Sequence, residues 1–248
     1  MDLEEVMTQL EGFGNPGTKK VLEKHGAKEP HFGVKVADLK KIVKQINKTA
    51  KARAKQGDPL DVAQLSLKLY ATGNSDAMYL AGLIADETQM TEAILDEWAD
   101  QAYWYYLSEY AVPWVAAETP FAWEIGNKWI KSNKPQVAAA GWACLASYAG
   151  LKADEELDIP AYKALLKDIP AKIHEAPNRV RYVMNGFVIA TGTYITSLTD
   201  YAKEIGAAYG KVSVEMGGTA CKVPVVGPYL KNVEEKGRLG KKRKGARC

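Results

Sequence analysis

The chain has 248 residues, 47% of them hydrophobic, enough to bury a sizeable core without disulfides or metals. It contains no run of 18 apolar residues, which excludes a transmembrane helix, and its acidic first segment does not read as a signal peptide. The net charge of +3 is unevenly placed: seven Lys/Arg and no acid lie from residue 236 onward, leaving 26 basic residues against 30 acidic ones in the body.

Leu3, Val6, Met7 and Leu10 fall at helical spacing, so residues 2–10 are predicted to form a helix. The loop at 12–17 breaks it. It reads Gly12-x-x-x-x-Gly17-Thr18-Lys19, with Thr and Lys in the wrong order for a phosphate loop and a helix in front, so it is a turn. A short helix at 18–24 stops at Gly26. Residues 38–46 are amphipathic, with Leu39, Ile42, Val43 and Ile46 inward and Lys40, Lys41 and Lys44 outward. Asp58 as cap and Pro59 in the first turn open a helix to about Tyr70. Helices at 75–87 and 91–99 precede an aromatic segment at 101–117. Further helices are expected at 120–131, 136–149, 160–168, 171–174, 179–190, 197–208 and 225–235. A brief extended piece is expected at 211–214, and a turn at Gly217-Gly218-Thr219.

Almost everything is helical, and the helices come as short pairs. Three of the second helices carry a similar centre, around Gly82, Gly141 and Gly186, each Gly followed by a large apolar residue. A mid-helix Gly costs about 1 kcal/mol against Ala, so its recurrence points to close helix approach. Repeated pairs stacked side by side make an all-α solenoid, or superhelix, of HEAT-like type. It is expected to form one domain over 1–235, followed by a basic tail at 236–248. A phosphate backbone or another acidic surface would suit that tail; a solvated, disordered end is the other reading.

All six tryptophans, Trp98, Trp104, Trp114, Trp123, Trp129 and Trp142, lie in one stretch that also holds Tyr103, Tyr105, Tyr106 and Tyr110. Such rings build a thick core or line a groove for a planar or cationic partner. His25, His31 and His174 form no ligand cluster by spacing, and no metal-binding, hydrolase-elbow or dinucleotide motif occurs, so neither metal nor cofactor is expected. Cys144, Cys221 and Cys248, odd in number and widely spaced, fit a reducing cytoplasm. Cys221 has a basic neighbour, Lys222, but a lone Cys is more often structural than nucleophilic.

With helix pairs, a Trp-rich middle and a basic end assembled, the chain resembles the AlkD-like DNA alkylation repair family. The residues that carry the likeness are Phe32-Gly33-Val34-Lys35 with the helix after it, Ala102-Tyr103-Trp104, Lys128-Trp129-Ile130-Lys131-Ser132 and Asn185-Gly186-Phe187-Val188. The ending from Gly218-Thr219-Ala220-Cys221 to Gly240-Lys241-Lys242-Arg243-Lys244 looks like that of a subgroup. The resemblance implies HEAT-like repeats that wrap double-stranded DNA, and hydrolysis of the N-glycosyl bond of N3- or N7-alkylpurines. It places Trp104, Tyr105, Ser108 and Phe187 along the substrate cleft. The family's catalytic aspartate falls on Ser108 and a family arginine falls around Ala139, so neither charged group is matched. Glu109, one residue on and turned by about 100° on a helix, is the stand-in catalytic carboxylate. Arg179, Arg181, Lys241, Lys242, Arg243 and Lys244 are the candidates for DNA phosphates. The alternative is a non-catalytic helical-repeat scaffold for structured nucleic acid or protein, which the mildly acidic body favours.

Overall fold

In a computed structural model, residues 1–218 and 221–247 are described; Thr219 and Ala220, within the predicted turn and the quoted ending, and Cys248 lie outside them. Thirteen α-helices, and no strand, are found among the described residues. Residues 211–214, expected to be extended, pair with no partner strand.

The first three helices are α1 (Leu3–Gly12), α2 (Pro16–Lys24) and α3 (Val36–Lys55). Asp2 closes a capping box with Glu5 on α1, and Asn15 caps α2 by accepting from the Thr18 N–H. The loop read as a turn is therefore the hinge between two capped helices. Before α3, the backbone N–H groups of Phe32, Gly33 and Val34 all donate to the carboxylate of Asp76 (2.7–3.2 Å). Burial raises the Asp76 carboxyl, and those three hydrogen bonds oppose it. Gly33 takes φ +78 there, a conformation open to glycine but to few other residues.

Next come α4 (Val62–Ala71), α5 (Ser75–Ile84), α6 (Glu92–Gln101), α7 (Val112–Glu118) and α8 (Ala122–Trp129). Helix α4 starts three residues later than the Asp58-Pro59 pattern predicts. Arg53 donates to both the Asp58 carboxylate (2.6 Å) and its carbonyl, binding that stretch to the end of α3, and Asp61 provides the cap instead. The remaining helices are α9 (Pro135–Leu151), α10 (Ile159–Lys172), α11 (Asn178–Tyr194), α12 (Thr199–Tyr209) and α13 (Val226–Glu235). Helix α10 runs through Pro170 and joins two predicted helices into one.

Helix α9 shows how the stack is built. Its sequence, Val137 to Ala149, is apolar on nearly every side, and a helix of that kind must be covered all round. Val137, Ala140 and Cys144 enter a first core shared with α1 and α3 to α8, while Ala139, Trp142 and Leu145 enter a second shared with α10 to α13. It lies against α7, α8 and α11. The recurring glycines explain part of this closeness. A Cβ on Gly82 would stand 2.8 Å from that of Ala111, and one on Gly141 would stand 2.6 Å from the Ile130 backbone nitrogen. Gly186 has open space beside it, so the close-approach reading fails at the third position.

Between α6 and α7 the chain makes a π-helical turn, Leu107–Ala111. Pro113 stands two residues into α7. A proline ring would meet the carbonyl four residues back, that of Glu109, in a regular helix. The wider turn relieves this, and the Val112 N–H reaches the Leu107 carbonyl.

Candidate nucleic-acid cleft

The wide turn decides where Glu109 goes. The aromatic run before it, Tyr103 to Tyr106, packs onto the end of α2. The Tyr103 hydroxyl donates to the Lys28 carbonyl (2.9 Å), and the Trp104 indole donates to that of His25 (2.8 Å). The Tyr105 hydroxyl lies 3.1 Å from His25 Nδ1. Trp104 stacks on Tyr106 at 4.4 Å, over a small cluster with Leu22 and Ala27. These rings form one wall of a cleft of about 770 Å³. The first turn of α11 forms the opposite wall.

From that wall Arg179 reaches across. Its Nε and Nη2 donate to the two oxygens of Glu109, each at 2.5 Å, and its Nη1 donates to Met216 Sδ at 3.3 Å. The guanidinium lies between two phenol rings, 4.3 Å from the Tyr105 centroid and 4.5 Å from that of Tyr182. Its edges are hydrogen-bonded and both its faces are covered. The Glu109 side chain is 2% exposed. Burial pushes its carboxyl up to about 7, with the Arg179 hydrogen bonds and charge pulling the other way. Burial would lower the Arg179 guanidinium, but the Glu109 hydrogen bonds and charge outweigh it and raise it. Burial likewise raises the phenols of Tyr105, Tyr110 and Tyr182, so the walls stay neutral.

The roof comes from the loop after α12. Asn178 and Glu215 exchange hydrogen bonds, Nδ2 to carbonyl at 2.9 Å and backbone N–H to Oδ1 at 2.7 Å. Gly217, at φ +67, presses on α2 so closely that a Cβ would stand 2.2 Å from the Lys24 carbonyl. The loop thereby joins the two ends of the repeat stack across the cleft mouth.

The structure brings Trp104, Tyr105, Glu109 and Arg179 together at this cleft. It does not bring Phe187 there. That ring is fully buried in the second core, stacked on Tyr162 (5.7 Å) and edge-on to Trp142 (5.0 Å), because its side of α11 faces α9 and α10. Tyr182 takes the wall position instead; three residues after Arg179, it shares that helix face. Ser108 is buried away from the cleft, and Ala139 lies in the core. Arg179, read as a phosphate contact, is committed to Glu109. Arg181, two residues on and turned to another side of α11, does not line the cleft; it is part-buried, its Nε without a hydrogen-bond partner among the described residues. Met216 carried no signal in the sequence, which marked only the turn from Gly217 onward. Of the tail, Lys242 pairs with Asp154 (2.7 Å) and Arg243 donates to the Ala246 carbonyl, while Lys241 and Lys244 are exposed. His31 is corrected in one respect: its ring falls near the carboxylates of Glu23 and Glu29, with candidate ligand atoms within 4.8 Å of one another, although Lys19 already holds Glu29 at 2.5 Å. Cys144 is buried and Cys221 is exposed.

No helix among the described residues is long and apolar enough to cross a membrane. The family model described as "DNA alkylation repair enzyme" matches residues 6–193. Two uncharacterised proteins, from Listeria monocytogenes serovar 1/2a and Listeria innocua serovar 6a, are each 28% identical over 233 residues. The alignments cover 92% of this chain and 96% of theirs. A solved structure described as "A new family of proteins related to the HEAT-like repeat DNA glycosylases with affinity for branched DNA structures" superposes with a TM-score of 0.86. It is 35% identical, with all of both chains covered. The all-α stack is therefore a HEAT-like repeat fold.

Proposed function

Because the chain belongs to the DNA alkylation repair enzyme family, we propose that it is a DNA-binding protein of the alkylation-repair type whose cleft engages DNA without excising a base. The observation that carries this reading is the Glu109–Arg179 pair. Breaking an N-glycosyl bond needs a carboxylate that can stabilise positive charge growing on the sugar, or position a water. Both oxygens of Glu109 are engaged by Arg179, and Ser108, at the position expected for aspartate, brings a buried hydroxyl. A cationic alkylpurine would also need an open ring face. Here the faces of Tyr105 and Tyr182 hold the protein's own cation.

The affinity for branched DNA ascribed to the solved relative supports structured double-stranded DNA as the partner of this chain as well. The odd number and wide spacing of the three cysteines suit a cytoplasmic protein. The test is release of free base from duplex containing 7-methylguanine, run beside binding of four-way-junction and linear DNA. Binding is expected, with base release at background in both the wild type and Glu109→Gln. Release above background that disappears in Glu109→Gln would overturn the non-excising reading and make Glu109 catalytic.

A further inference from the structure

Helix α3 carries seven basic residues and one acid, Asp38. Lys41 is spent on Asp38 and Arg53 on Asp58. Lys44, Lys48, Lys51 and Lys55 are exposed and in no ion pair among the described residues. They line a shallow groove with Asn47, Ala52 and Gln56, and no acid enters it. At 3.6 residues per turn the four fall within about 60° of one another, opposite the buried Leu39, Ile42 and Ile46. Steps of four, three and four residues spread them over about 16 Å. One DNA strand presents a phosphate every ~3.4 Å of duplex axis, so this row faces about five phosphates.

The row is separate from the cleft. Val36, at the start of α3, lines the cleft. Lys44 and Lys55 lie about 12 and 28 Å further along the helix axis and about a quarter turn round it. The protein thus has two places for nucleic acid, one aromatic and closed by Arg179, the other a flat row of free ammonium groups in a chain whose body is otherwise acidic. Resting on the DNA-binding reading above, we propose that the α3 lysine row grips the phosphate backbone of a second duplex arm while the first lies at the cleft. Affinity for a branch over a straight duplex follows, because only a branch offers both surfaces a duplex arm.

Fluorescence anisotropy with a labelled four-way junction and a linear duplex, across a salt series, tests this. The fourfold variant Lys44→Gln, Lys48→Gln, Lys51→Gln, Lys55→Gln is expected to bind the junction at least tenfold more weakly. The slope of log affinity against log salt should fall by about 0.9 for each phosphate that is no longer neutralised. Linear duplex affinity should change less than threefold, and the fourfold Lys→Arg variant should restore junction binding. The Lys→Gln variant should melt at the same temperature as wild type, since these side chains are exposed and in no ion pair among the described residues. Unchanged junction affinity, or equal loss on junction and linear DNA, overturns the second-arm proposal and sends the row to another acidic partner. If the wild type binds neither DNA at low salt, the DNA-binding reading itself fails, a result distinct from either.

Discussion

The tail and α3 are the two most basic stretches of the chain, and they use their cations in opposite ways. The tail folds back as a strap. Lys242 binds Asp154 and the Ala149 carbonyl, and the Arg243 backbone N–H donates to Gly150 (2.7 Å). Ala246 is fully buried and donates its N–H to Glu118, while Arg247 joins Glu87, Glu118 and the Ala85 carbonyl. The row from Lys44 to Lys55 has no such internal partners among the described residues. Charge density along the sequence therefore does not tell which cations are available to a ligand. A cation held inside the fold contributes stability when present, and a free one contributes affinity.

The strap gives the largest expected effect. Removing residues 241–248 strips the buried Ala246 and leaves Glu118, Asp154 and the Ala85 carbonyl without their partners. We expect a loss on the order of 3–5 kcal/mol, read as a fall of about 10 °C in melting temperature. Junction affinity of the folded remainder, measured at low temperature, should stay within threefold. A large loss of affinity without loss of stability would reverse the roles of the two basic regions.

Arg179 belongs with the strap in this comparison, although it lies in the cleft. Arg179→Met leaves Glu109 buried with no cation and removes the guanidinium from between the Tyr105 and Tyr182 rings. Part of the cost is relieved because the carboxyl takes up a proton, and Arg179 is itself partly exposed (23%). The expected loss is about 2–3 kcal/mol, visible in urea unfolding as a lower midpoint. Stability equal to wild type would show that the pair does not hold the cleft closed.

Much of this was legible before the structure. The helix pairs, the turn at 12–17 and the close approach at Gly82 and Gly141 follow from periodicity, turn chemistry and residue size, which act locally. Phe187 failed because a resemblance assigns a position, and packing then decides: its side of α11 met α9 and α10, so the ring became core. Glu109 was identified as the stand-in carboxylate, but its partner was not. The pairing depends on a π-helical turn set by Pro113 and on a helix seventy residues away, neither of which leaves a periodic trace. Met216 was invisible for the same reason, since a loop that closes over a site has no pattern of its own. Of the row on α3 only Lys44 was visible, on a helix expected to end at 46; the helix runs on to Lys55 and carries the other three. The row's significance appeared only once Lys242, Arg243 and Arg247 of the tail were seen to be held inside the fold.

The smallest effect is a pH dependence that isolates the Glu109 carboxyl. Its folded-state value lies near 7, above the ordinary 4.5, because burial disfavours the charge more than Arg179 restores it. The folded protein therefore binds a proton that the unfolded chain gives up between these values. The contribution of this group to stability is fully present below about 4.5 and is lost as the pH rises through 7. Comparing unfolding midpoints of wild type and Glu109→Gln at several pH values removes the other titrating groups from the difference. Wild type should lose roughly 2 kcal/mol relative to the variant between about pH 5 and pH 8. The opposite slope, with wild type gaining on the variant as pH rises, would mean that Arg179 stabilises the carboxylate more than burial penalises it. The pair would then be a net source of stability like the strap, and the cleft would be closed more firmly than its buried charge suggests.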